Sequence, residues 1–467
     1  MADESNQMAS DSALVDSKSS HRWLVMASVG VGSLLGSLDS SVVNIALPTI
    51  RHSFGTEVAT AEWVVAIYLL TTCGFLLSCG RVGDLRGQKP VYVCGFATFV
   101  ASSALCGMAP SIAMLILFRA VQGIGGAMIF SSGSAILTQT FPPSLRGRVL
   151  GLQVLMVYLG SMTGPMLGGW LTDHFTWRAI FYINVPIGLI ALVLSSKFIP
   201  WVRPANKSER FDFYGAALFL ATFSLLLIAL NQGHTYGWTS SYILRMFAAA
   251  IVLLAVFVLV ESRVGSPLLD LGLFRVATFS LSAASAICNY MAMFSVTFLM
   301  PFYLIQGRAL SSSSAGMLMT VLPLVMVIFA PPAGAISDRV GTRWPAMLGM
   351  AVLALAMYLL SRLGPTTSLA YIGTAIGTAG LGMGIFVAPN NSTMMGSAPK
   401  NRVGIAAGVL ATARYIGMIF GVGVSGAIFT TFIRAHTQAA FYGGIQISFL
   451  VASAVSCIGC ITSAARK

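Results

Sequence analysis

Charge is what this chain has least of. Only 9% of its 467 residues are Asp, Glu, Lys or Arg, where a soluble domain carries roughly 25%, and this shortage excludes an ordinary water-soluble globule. Acids are scarcer than bases, 14 against 27, and the formal net charge is +13. In a soluble protein that excess points to nucleic acid. In a chain that is 56% hydrophobic with a mean hydropathy of +0.84 it reads as the Lys and Arg bias of cytoplasmic membrane loops, so no nucleic-acid partner is expected. The seven cysteines, among them Cys73, Cys79, Cys94, Cys106 and Cys288, sit mostly in apolar runs without metal-ligand spacing; neither a disulfide framework nor a metal site is expected. There is no GxxxxGK[ST] phosphate loop and no Ser/His/Asp grouping. The chain is therefore not read as an enzyme, no cofactor is expected, and any work it does draws on the proton motive force. Residues 1–22 lack the basic start and short apolar run of a signal peptide and are read as a disordered cytoplasmic tail.

What the chain has in quantity is apolar runs of membrane-spanning length. About 20 residues at 1.5 Å rise match a hydrocarbon core of about 30 Å. Such runs fall near 23–47, 60–79, 90–109, 112–137, 149–171 and 179–199, then 213–231 and 243–260, then 278–304, 314–336, 345–363, 370–393, 403–425 and 445–463. The reading is an all-α polytopic membrane protein with about 14 transmembrane helices. It divides into an N-terminal six-helix bundle (23–200), a linker with two extra helices (201–277) and a C-terminal six-helix bundle (278–467). An even count puts both termini on one side. With that side cytoplasmic, nineteen Lys and Arg lie inside and six outside (Arg51, Arg178, Arg245, Arg308, Arg362 and Arg434), leaving Arg119 and Arg414 deep in spans. Cell-membrane location with both ends cytoplasmic follows from that bias. A monomer is expected, contacting membrane lipids; whether an adaptor or outer-membrane partner is needed is left open.

The two large blocks repeat each other. GRVGDLRGQK carries Gly80, Asp84, Gly87 and Lys89; GAISDRVGTR carries Gly334, Asp338, Gly341 and Arg343 at the same spacings of 4, 3 and 2. Each loop follows the second helix of its block. A duplicated bundle of this kind suits a transporter that rocks two halves about a midplane site. Asp84, Arg86, Lys89, Asp338, Arg339 and Arg343 are then candidates for a charged cytoplasmic gate, with Gly80 and Gly87 shaping the turn.

These loops resemble the signature of the major facilitator superfamily. LDSSVVNIALP (38–48) resembles the first-helix motif of its drug:proton antiporters, GSMTGPMLGG (160–169) their fifth-helix antiporter motif, and WRAIFYINVPIG (177–188) with the extra helix pair their fourteen-span branch. The resemblance implies the major facilitator fold and multidrug efflux by alternating access. Within the fifth span, Gly160, Gly164 and Gly168 share a face that permits close helix crossing, beside Gly169, while Pro165 removes a backbone hydrogen bond. With the resemblance, the stretch reads as a hinge and seal.

Asp39 is the one acid deep in a span, and an intramembrane carboxylate is a functional residue by default. Arg119 in LFRAVQGIGGAM lies at a comparable depth, so the two are expected to pair and to couple protons; Arg119, Gln122 and Gly123 also resemble the superfamily's fourth-helix proton-relay motif. The expected cargo is a small amphipathic compound, in particular a lipophilic monovalent cation competing with the proton for Asp39. Further candidate cargo contacts are Glu62 and Tyr68 in a vestibule, then Asn289, Tyr290, Tyr303, Gln306, Asn390 and Arg414 in the second block, each of which could equally be interhelical glue. Rival readings are a same-fold exporter of an endogenous lipid, siderophore or secondary metabolite, and a non-transporting receptor, disfavoured by the short C-terminal SAARK.

Overall fold

The computed structural model describes residues 2–202, 212–264, 271–399, 403–435 and 437–466, and every regular element among them is a helix. The N-terminal block comprises α1 (Ala2–Phe54), α2 (Val58–Arg86), α3 (Gln88–Met108), α4 (Ile112–Thr140), α5 (Pro143–His174), the short α6 (Ala179–Tyr182) and α7 (Asn184–Phe198). Next comes the pair α8 (Phe213–Tyr236) and α9 (Ser241–Glu261). The second block holds α10 (Ala277–Pro301), α11 (Ser312–Val340), α12 (Arg343–Leu360), α13 (Leu369–Gly396), α14 (Val403–Ile433) and α15 (Gln438–Ala464). With α6 and α7 forming one crossing, 14 helical segments among the described residues are long and apolar enough to span a membrane.

Helix pairing repeats as the loops do. Within the first block α1 packs on α5, α2 on α4, α3 on α4 and α3 on α7; within the second the equivalent pairs are α10 with α14, α11 with α13, α12 with α13 and α12 with α15. The halves meet where α5 packs on α11 and α2 on α14. The extra helix α8 lies against both α2 and α14, beside that second seam, and α9 packs on α8. The outer face of α9 is apolar and exposed at Ile251, Leu254 and Val258, as suits a lipid contact.

Several boundaries differ from the sequence reading. Helix α1 is assigned from Ala2, where a disordered tail is expected; residues 2–21 contain neither Gly nor Pro, so nothing local stops the helix from extending back from the span that starts at Arg22. It also runs through Pro48 to Phe54. The sixth crossing is interrupted between Tyr182 and Asn184, where Pro186 cannot donate a helical N–H bond. A π-helical turn, Phe302–Gly307, continues α10. Most of the charged links 203–211 and 265–270, and Lys400, Arg402 and Lys467 from the charge tally, lie outside the described residues.

The seam is closed at the end away from the termini. There the Asp173 carboxylate at the end of α5 accepts from the backbone N–H groups of Ser312 (3.1 Å) and Ser313 (2.7 Å) at the start of α11. Arg51 donates to Gln306 across the same end, 3.1 Å away. Gly169 faces the Ser312 carbonyl, and Gly316 the Pro165 carbonyl, so closely that a methyl at either would overlap backbone. At the opposite end, Asp84 is exposed and bonded within its own half, to Gln88 at 2.9 Å. Asp338, Arg339 and Arg343 are also exposed, and among the described residues no ion pair joins the two signature loops.

Candidate functional site

Asp39 sits on α1 with a side chain that is 0% exposed, and both of its oxygens are used. Oδ2 accepts from Arg119 Nη1 at 2.7 Å; Oδ1 accepts from Gln122 Nε2 at 3.0 Å and Asn184 Nδ2 at 2.7 Å. Arg119 and Gln122 are three apart on α4, so both reach one side of that helix. Arg119 also donates to the Gln122 side-chain oxygen at 2.6 Å and, through Nε, to the Val64 carbonyl of α2 at 3.0 Å. Its guanidinium lies 4.1 Å from the Tyr68 ring centre, a cation–π contact that adds to the pairing. Gln122 Nε2 is fixed in turn by the Ser103 hydroxyl on α3, 2.7 Å away. Four crossings besides α1 therefore converge on one carboxylate. Breaking such a buried pair from one side is worth roughly 3–5 kcal/mol, because it strands the other charge.

The turn that carries Asp39 is clamped by the glycine face of α5. Ser37 donates to the Val157 carbonyl at 2.7 Å and shares a 2.6 Å hydrogen bond with Ser161. Gly160 lies on the Leu34 carbonyl, Gly164 on the Ser41 hydroxyl, and Gly168 against Val42 and Ile45. The neighbouring face of the same helix segment, at Pro165 and Gly169, forms the seam with α11. One stretch of α5 thus touches both the buried acid's helix and the half-to-half contact.

A second charged cluster lies at the seam itself. The Arg414 guanidinium on α14 is 5.3 Å from the ring centre of Tyr290 on α10. Tyr158 on α5, from the other half, and Tyr415 are its remaining electrostatic neighbours. Arg414, Tyr158 and Tyr415 each keep partial exposure. Tyr68 lies close enough to interact electrostatically with both Tyr415 and the Asp39–Arg119 pair, and so bridges the two clusters.

Of the remaining sequence candidates, Glu62 is buried on the α2–α14 seam against Gly426, beside Asn231 of α8, and its Oε2 has no hydrogen-bond partner. Tyr68, expected in a vestibule, is instead buried beneath Arg119. Asn289 is buried within the second bundle, donating to Met350 Sδ at 3.4 Å. Tyr303 is buried in the π-helical turn and donates to the Gly364 carbonyl at 2.8 Å. Asn390 is buried where it accepts from Arg466 at 2.6 Å. These three bind their own bundle together, whereas Gln306 belongs to the closed end. The sequence reading missed Asn184 and Ser103 as partners of the buried site, and Asp173 as a latch. Asn184 carried a usable signal, a lone amide in the apolar run IFYINVPIG.

Asn184→Ala is expected to fold, with stability lowered by about 1.5–3 kcal/mol through loss of a hydrogen bond to a charged acceptor. Thermal unfolding in detergent checks this, and an Asn184→Ala protein as stable as wild type contradicts the assignment.

The duplicated bundles have a clear counterpart among known proteins. The Major Facilitator Superfamily pattern matches residues 29–422 and again 282–465. The chain belongs to that superfamily. It is 32% identical over 446 residues to the riboflavin transporter RibZ of Clostridioides difficile, covering 94% of this chain and 96% of that one. Over 417 residues it is 32% identical to the multidrug resistance protein Stp of Mycobacterium tuberculosis, covering 89% and 77%. A methylenomycin A resistance protein of Bacillus subtilis is 30% identical over 449 residues, covering 96% and 95%. In fold, the chain matches a bacterial homologue of the human lysosomal transporter Spinster, with a TM-score of 0.69 at 15% identity over 95% of this chain and 96% of that one. This superfamily member is a multi-pass membrane transporter of small substrates and not an enzyme.

Proposed function

We propose that this transporter is a proton-coupled antiporter that exports small amphipathic compounds by alternating access, with Asp39 and Arg119 as its proton site and both termini cytoplasmic. The observation that carries the reading is the fully buried Asp39–Arg119 pair, tied through α5 to the seam between the halves. Protonation of Asp39 removes the charge that holds Arg119. Arg119 is then left with Tyr68, the Gln122 amide oxygen and the Val64 carbonyl, with no anion among them, and α1 is freed to shift against α4. A proton entering the cell brings about 2.3 kcal/mol per 100 mV of membrane potential. The signature loops would latch the cytoplasmic side once the end bearing Asp173 opens.

Cargo recognition by Asp39 itself has less support. Both oxygens are occupied in this conformation, so a monovalent cation would have to displace Arg119, Gln122 or Asn184. Coupling through Tyr68 lets proton and cargo use separate groups. Similarity to a riboflavin transporter supports a second reading in which the cargo is an endogenous compound or secondary metabolite, beside the drug cargo that similarity to multidrug and antibiotic resistance proteins supports.

Proteoliposomes with an imposed pH gradient test the function, using ethidium as the monovalent cation and riboflavin as the neutral heteroaromatic. Accumulation that collapses on adding a protonophore supports the reading. Transport of either compound that ignores the protonophore contradicts it.

A further inference from the structure

Arg414 is a cation in search of an anion. It lies about a third of the way along α14, inside a membrane-spanning helix, and among the described residues no Asp or Glu pairs with it. Its neighbours are the tyrosines Tyr290, Tyr158 and Tyr415. Aromatic faces lessen the cost of a buried guanidinium but do not neutralise it. By contrast, the other deep arginine, Arg119, has a carboxylate at 2.7 Å. The difference lies in position: Arg119 is sealed inside the first bundle, while Arg414 keeps partial exposure where α14, α10 and α5 meet, and α5 comes from the opposite half.

We infer that Arg414 with Tyr158, Tyr290 and Tyr415 forms a cargo subsite for the anionic group of a planar aromatic compound, such as a ring-bearing carboxylate or phenolate. The inference rests on the reading of the chain as an exporter with its cargo between the halves. A carboxylate supplies the missing counter-charge and can meet the guanidinium's forked donors in pairs. The attached ring stacks against Tyr158 and Tyr290, which the two halves contribute separately. Cargo would therefore touch both halves at once, as a ligand that stabilises one arrangement of the seam must. The charge logic also suits export, because a negative cell interior pushes an anion outward while it draws the proton in.

The test uses purified full-length protein in detergent and, as probes, 1-naphthoate, anthracene-9-carboxylate and pyrene-1-carboxylate, each paired with its methyl ester. Binding is followed by quenching of protein fluorescence. Wild type is expected to bind each carboxylate at least tenfold more tightly than its ester, Arg414→Gln to lose that preference while still binding the esters, and Arg414→Lys to keep part of it. Carboxylates that bind wild type no better than esters overturn the subsite, as does a preference that survives Arg414→Gln. Should Arg414→Gln fail to fold, the wild-type preference and its partial retention in Arg414→Lys decide the matter. The exporter reading stands or falls separately, on protonophore-sensitive riboflavin transport by the wild type.

Discussion

Asp39→Asn is expected to abolish accumulation driven by the proton motive force while leaving the bundle recognisably assembled. A proton crossing 100 mV supplies about 2.3 kcal/mol, which sustains roughly a 40-fold cargo gradient at 1.4 kcal/mol per tenfold; without the titrating acid the ratio should fall to unity. The substitution also leaves the Arg119 guanidinium, 1% exposed, with amide and carbonyl acceptors but no anion. A stability loss of about 3–5 kcal/mol follows from stranding a buried charge. The double variant Asp39→Asn with Arg119→Gln separates the two effects. Removing both charges should recover most of the stability and none of the coupling, read by thermal unfolding and by riboflavin accumulation in proteoliposomes.

Gly164→Val should be nearly as damaging, for a different reason. A side chain there enters the space of the Ser41 hydroxyl and comes within 3.3 Å of the Leu38 carbonyl, which belongs to backbone that cannot move alone. Overpacking costs about 1–3 kcal/mol for added methylenes in a tight core, and here the displaced turn is the one that bears Asp39. Little folded protein is expected, and what folds should transport poorly. Gly373 is the matched control: nothing lies within 4 Å of its Cβ position, so Gly373→Ala should behave as wild type. Size-exclusion profiles and melting temperatures of the two variants provide the comparison. A well-folded, active Gly164→Val protein would contradict the close α1–α5 contact.

The legible parts of the molecule were those that leave a mark along one helix. Apolar length identified the fourteen crossings, matched spacing in two loops exposed the duplication, and the rarity of acids singled out Asp39. Pairing with Arg119 followed from depth alone, since two opposite charges at similar depth have few other partners in lipid. Depth says nothing about which way a side chain faces, and that is where the reading loosened. Asn289, Tyr303 and Asn390 are, like Arg414, polar side chains in apolar runs, yet each turns into its own bundle, towards Met350, Gly364 and Arg466. Tyr68 turns inward beneath Arg119 because α2 and α4 cross there, a contact that no local pattern encodes. Asn184 was hidden differently: it belongs to a quoted motif, but its bond to Asp39 spans 145 positions of sequence.

Proton movement itself tests the central claim most directly. Lightly buffered proteoliposomes containing a pH-sensitive dye report protons released or taken up when riboflavin is added without any imposed gradient. Wild type should move protons opposite to riboflavin, and Asp39→Asn should move none while still exchanging labelled for unlabelled riboflavin. Proton movement that persists undiminished in Asp39→Asn would show that another group carries the proton.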